Sequence, residues 1–147
     1  MLNWNGIEAD FDFEENGMNA FHVIAKKSNP ALFVVLLEEM ELGPVELKRL
    51  LNRGVTNGGE GSEYMTPLFF AVPNIDLMKL YLSYGADGSR LSFNLTFRAF
   101  KKYRQQLQYL VSNSDLHVDN RSVIDACVAH DAEALDFLLE LGANLDI

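Results

Sequence analysis

The sequence predicts an all-α protein assembled from repeated helix-turn-helix units, and three observations carry that expectation. Short apolar helices with small residues at fixed positions recur along the 147 residues. A second, leucine-rich amphipathic segment follows most of them, and a glycine closes two of the pairs, where a left-handed backbone ends a helix. With 48% of its residues apolar, the chain can bury a core without disulfides or a metal, and its length suits one domain.

The clearest unit opens on Thr66-Pro67-Leu68-Phe69-Phe70-Ala71-Val72, continues through Ile75 to Leu82 and exits through Gly85-Ala86-Asp87. It resembles an ankyrin repeat, with its TPLHxAA first helix, leucine-rich second helix and GAD exit. The last unit fits the same template without gaps: Ala126 and Cys127 take the small positions, Leu138 and Leu139 the paired leucines, and Gly142-Ala143-Asn144 the exit. In the first unit, Asn19 to Ala25 matches TPLHxAA, with His22 on the histidine position. The unit from Phe93 to Asp115 is the most degenerate; Leu95 and Ala99 align, but Ser114 replaces the exit glycine. Between Lys27 and Gly54, two helical stretches, Ala31 to Met40 and Val45 to Arg53, compete to partner the first helix, so one is an insertion or belongs to a unit that lost its motif.

The resemblance implies an ankyrin-repeat solenoid over residues 16–147, with units at about 16–54, 64–87, 92–116 and 119–147 and with β-hairpins trimmed to short turns. Residues 1–15 stand outside it as an acidic N-terminal arm. A single two-helix unit cannot bury its apolar stripe alone, so stability is expected from stacking neighbours. Thr66 is expected to cap its helix through the hydroxyl, Pro67 suits the first helical position, and Pro73 must end that helix after about two turns. Gly85 and Gly142 are expected to take the left-handed conformation.

Charge narrows the partners. Twenty-one acidic against twelve basic residues give −9, which repels phosphate backbones and anionic lipid and favours a basic protein partner. The arm holds Glu8, Asp10, Asp12, Glu14 and Glu15 among Trp4, Phe11 and Phe13, a second candidate surface for a basic cleft. From Gly88 to Ser114 the sign reverses: Arg90, Arg98, Lys101, Lys102 and Arg104 occur without one carboxylate. Interleaved aromatics there would suit single-stranded nucleic acid, but Phe93, Phe97 and Phe100 fall at helical spacing and are expected to fill core. Nucleic acid is accordingly not expected.

Chemistry is sparse. His22, His117 and His130 lie too far apart for a local ligand motif, no phosphate loop or nucleophile elbow is present, and no metal, cofactor or catalytic residue is expected. Cys127, the sole cysteine, reads as a small buried apolar residue. The first cation is Lys26 and the longest apolar run is Ala31 to Leu37, so neither a secretory signal nor a membrane span is expected, and the location expected is cytoplasmic.

In ankyrin proteins, partners meet the residue before each TPLH and the two after the small pair. The resemblance carries those positions to Met18, Lys26 and Lys27; to Met65, Pro73 and Asn74; to Ser92, Phe100 and Lys101; and to Asn120, Val128 and Ala129. The polar Gly54–Tyr64 connection, with Glu60 and Glu63, is the candidate finger, and Tyr64 and Met65 beside it are the candidate hot spot. Phe137 and Leu141 in the last unit are expected to be exposed and to support self-association. The expected function is that of a noncatalytic inhibitor or immunity-type protein that blocks a basic partner, the alternative being an adaptor or host-directed effector.

Overall fold

Side-chain caps open most of the helices. Asn19, Asn29, Asn74, Ser92, Asp119 and Asp131 each precede a helix and accept a backbone N–H two or three residues on. Pro30, Pro44 and Pro67 occupy first helical positions, where the missing N–H costs no bond. The computed structural model describes residues 17–55 and 61–143, and among these the protein is all-α. The helices are α1 (Ala20–Lys26), α2 (Pro30–Met40), α3 (Pro44–Leu51), α4 (Pro67–Ala71), α5 (Ile75–Ser83), α6 (Phe93–Phe100), α7 (Arg104–Asn113), α8 (Asn120–Val128) and α9 (Ala132–Glu140). Single 3₁₀ turns at Ser62–Tyr64 and Gly88–Arg90 lead into α4 and α6.

Packing follows chain order. The largest helix contact is α1 on α4; α4 also packs on α5, α6 packs on α7 and α8, and α8 packs on α9. Phe69 of α4 lies 4.9 Å from Phe100 of α6. On the other side, the Lys79 ammonium of α5 sits 4.9 Å from the Tyr109 ring of α7, and Arg104 of α7 reaches Glu140 of α9 at 3.8 Å. The core is one apolar cluster running from Phe21 to Leu141. Within it Phe21, Phe33 and Tyr81 meet edge-on or tilted at centroid distances of 5.0–6.3 Å. Tyr81 is fully buried, its hydroxyl donates to the Phe21 carbonyl at 2.7 Å, and burial pushes its phenol above the ordinary tyrosine range.

Both stretches between Lys27 and Gly54 form helices. α2 packs on α1, and its Phe33 lies against Tyr81 and Tyr84 of α5. α3 buries Leu47, Leu50 and Leu51; the Asn19 amide donates to the Leu50 carbonyl at 3.0 Å. Asn52 then joins α3 to the exit of α5: its Nδ2 donates to the Lys48 and Gly85 carbonyls, and its Oδ1 accepts from the Asp87 N–H at 2.7 Å. Gly85 (φ 112°) and Gly142 (φ 102°) take the positive φ expected of them.

Four expectations are corrected. Thr66 stands before α4 but makes no side-chain cap; the Phe69 N–H, which a capping hydroxyl would take, bonds the Thr66 carbonyl at 3.0 Å. Its Oγ1 is buried without a partner among the described residues. Cys127 is exposed: Ala126 takes the inward position, and the next residue turns about 100° away. Ala99 is exposed as well, since α6 presents Phe93, Thr96 and Phe97 to the core. Phe137 and Leu141 are 1% and 8% exposed. Phe137 faces Phe97 at 5.9 Å, with the Arg104 guanidinium 4.6 Å from its ring, so neither residue offers a self-association surface.

Candidate functional site

An open groove of about 920 Å³ is lined by residues of α6 and α8, with Tyr64 and the start of α9 completing the lining. Local sequence builds it. Ser92 caps α6 by accepting from the Leu95 N–H, and Asp119 caps α8 by accepting from the Arg121 N–H at 2.9 Å. The two helices are tied where the Ser122 hydroxyl donates to Asn94 Oδ1 at 3.0 Å. Asp131 caps α9 by accepting from the Ala134 N–H and pairs with Lys101 at 3.1 Å, bridging the turns that follow α6 and α8. The Ala134 N–H, and after it the Lys101 ammonium, hold the Asp131 carboxyl below the usual aspartate range.

The lining carries Arg98, Lys101 and Arg121 against Asp119, Asp125 and Asp131, and it holds no histidine or cysteine. Asp119 and Asp131 are engaged as helix caps. Arg98, Arg121 and Asp125 remain on the lining as side chains of both signs beside the 43%-exposed Tyr64 ring. Such a surface suits recognition of a polar protein segment around an aromatic anchor. Among the described residues, no group of three or more histidine, cysteine, aspartate or glutamate side chains could hold a metal ion, and no helix is long and apolar enough to cross a membrane.

Of the residues expected to bind a partner, the groove brings together Tyr64, Ser92, Lys101 and Ala129. Asn120, the first residue of α8, is flanked by two lining residues but is not itself one. Phe100 is half-buried against Phe69, and Val128 is exposed outside the lining. Glu63 is exposed in the 3₁₀ turn, and Met65 is half-buried with its carbonyl accepting from His22 Nε2 at 3.0 Å.

Met18, Lys26, Lys27 and Asn74 lie elsewhere. Met18 is half-buried ahead of α1, and the Lys26 ammonium lies 6.0 Å from the Phe70 ring. Lys27 ends α1, and beside it the Asn74 amide donates to the Ser28 carbonyl while its Oδ1 caps α5. Asn74 is therefore committed to holding two turns together. Glu60, residues 1–15 with Trp4, Phe11 and Phe13, and Asn144 lie outside the described residues.

Arg98 was named from the sequence only as part of the cationic run 88–114, and Arg121 and Asp125 were not singled out, although the spacing signals all three. Asn94, Arg98 and Lys101 recur at four and three residues, and Arg121, Asp125 and Ala129 at four and four, which sets each trio on one helix face. No family model matches the chain, and no curated protein or solved structure matches it at a significant level.

Proposed function

We propose that the chain is a noncatalytic ankyrin-type solenoid of the cytoplasm that binds another protein through the Tyr64 groove and blocks a basic surface on it. Support for the solenoid comes from links that repeat between matching places. The turns after α1 and α4 are joined by Asn74 and Ser28, those after α6 and α8 by Lys101 and Asp131, and the exits after α3 and α5 by Asn52.

The observation that carries the binding role is the open groove itself, with side chains of both signs around an exposed tyrosine and no histidine or cysteine in its lining. The basic partner follows from charge: residues 1–16 contribute five carboxylates and no cation.

Affinity capture on the full chain, followed by titration of the captured protein's own activity, tests the proposal. Tyr64→Ala and Asp125→Lys should each weaken binding by about ten-fold or more and relieve inhibition in parallel, with helical content unchanged. Binding should also weaken as salt rises. If both variants bind like the parent, or if the captured protein's activity is indifferent to the chain, the reading fails.

A further inference from the structure

The helix α2 is apolar on every side from Pro30 through Leu37. Its inward side is covered: Phe33 and Met40 are buried, and Leu36 and Leu37 pack partly against the core. Its outward side is not. Ala31 is exposed, and Leu32, Val34 and Val35 are 45%, 43% and 50% exposed. These four residues recur at spacings of three and four, which sets them on one stripe away from Phe33. A helix that is hydrophobic all round belongs where every side is covered, and an exposed apolar stripe marks a contact surface. None of the four lines the Tyr64 groove.

Charge of opposite sign stands at the two ends of the stripe. Lys26 and Lys27 are exposed ahead of α2, whereas Glu38 and Glu39 are exposed in its last turn and Glu41 just beyond it. Lys27, Glu38 and Glu39 make no ion pair among the described residues.

We propose that α2 docks against α2 of a second copy of the chain, antiparallel across a two-fold axis. The charge pattern selects that occupant, because an isologous contact must be complementary to itself. With the pair centred midway between Leu32 and Val35, Leu32 of one copy lies level with Val35 of the other, and Glu39 lies level with Ser28, one residue from Lys27. Each cationic end then meets an acidic end, and the carboxylates of each copy approach the positive N-terminus of the other helix. A parallel pair would set lysine on lysine and glutamate on glutamate. A lipid surface fits poorly, since α2 holds no cation and ends in carboxylates. The 11 residues of α2 span about 16 Å, so the contact is small and the dimer reversible. It is independent of the groove and of whatever binds there.

Sedimentation velocity on the full chain, from about 5 to 500 µM in roughly 0.15 M NaCl, where the screening length is ~8 Å, tests it. The expected result is a reversible monomer–dimer equilibrium within that range. Val35→Glu should weaken the dimer at least about ten-fold, with helical content unchanged by circular dichroism, because Val35 is a surface residue and glutamate is the better helix former. Lys27→Glu and Glu39→Lys should each weaken it about three-fold or more, the contact occurring twice per dimer. The Lys27→Glu/Glu39→Lys double variant should regain the parent's affinity, since the swapped ends again meet with opposite charge. A chain that stays monomeric at every concentration overturns the proposal. So does a dimer indifferent to Val35→Glu, which would place the contact elsewhere, and so does a double variant no tighter than the single ones, which would exclude the antiparallel pairing.

Discussion

His22 shows how one side chain joins distant parts of the chain. Its Nε2 faces the Met65 carbonyl, which can only accept, and its Nδ1 faces the Asn19 N–H, which can only donate. These partners assign the neutral Nε2–H tautomer. His22→Ala would strand both partners in a buried setting and should cost about 2–4 kcal/mol, read as a lower urea midpoint at unchanged slope. His130 is the opposite case: it is exposed and sits at φ 55° after α8, a conformation that strains a residue with a Cβ. His130→Gly should therefore raise stability by about 0.5–1 kcal/mol, measured by thermal unfolding, and an unchanged midpoint would refute the strain. The role of His22 was legible because it rests on a motif position. Cys127 and Thr66 were misjudged because a motif gives a residue's place in a unit and not the local turn of the helix or the donors left free.

At the scale of elements, most helix boundaries followed from caps and prolines, which act within a few residues and so are written locally. The region from Lys27 to Gly54 was not legible, because α2 and α3 each satisfy helical periodicity and only contacts with α1 and α5 place them. Asn52 is the residue that the sequence did not reveal; its three bonds reach Lys48, Gly85 and Asp87, and the latter two lie more than thirty residues away. Asn52→Ala should cost about 2–3 kcal/mol, because the half-buried Gly85 carbonyl and Asp87 N–H lose their partner together. Amide exchange should then quicken at Asp87 well before it does at Leu107, and equal acceleration at both would count against a local clamp. The groove was partly legible for a similar reason. Alignment reached Ser92, Lys101 and Ala129, and the polar Gly54–Tyr64 loop reached Tyr64, whereas Arg121 and Asp125, and the place of Arg98 in the groove, required knowing which faces of α6 and α8 look at each other.

For the whole molecule, the charge is unevenly placed. Residues 17–55 and 61–143 carry fourteen acidic and twelve basic side chains, so most of the −9 belongs to the remainder, chiefly residues 1–16. Within the described fold, Glu46, Asp87 and Asp131 have lowered pKa values, caused first by the Arg49 hydrogen bond, the Ser89 hydroxyl and the Ala134 N–H respectively. A carboxylate whose folded pKa is depressed stabilises the fold above its unfolded value, and that contribution is lost as pH falls through the folded one. The melting temperature should thus be nearly flat from pH 7 to about 5 and fall below about 4. Asp131→Asn keeps a competent cap but cannot titrate, so it should soften that acid limb; an unchanged limb would exclude Asp131 as a contributor.

The bond from the Tyr81 hydroxyl to the Phe21 carbonyl spans sixty positions of sequence. During synthesis, the first helix leaves the ribosome long before the residue that completes its core exists. At 5–20 residues per second that interval is roughly 3–12 seconds, during which Phe21 and Phe33 lack their cover. The part of the core made first is therefore the part whose burial waits on residues made sixty positions later, and the nascent chain exposes Phe21 and Phe33 to chaperones, proteases and aggregation over that interval.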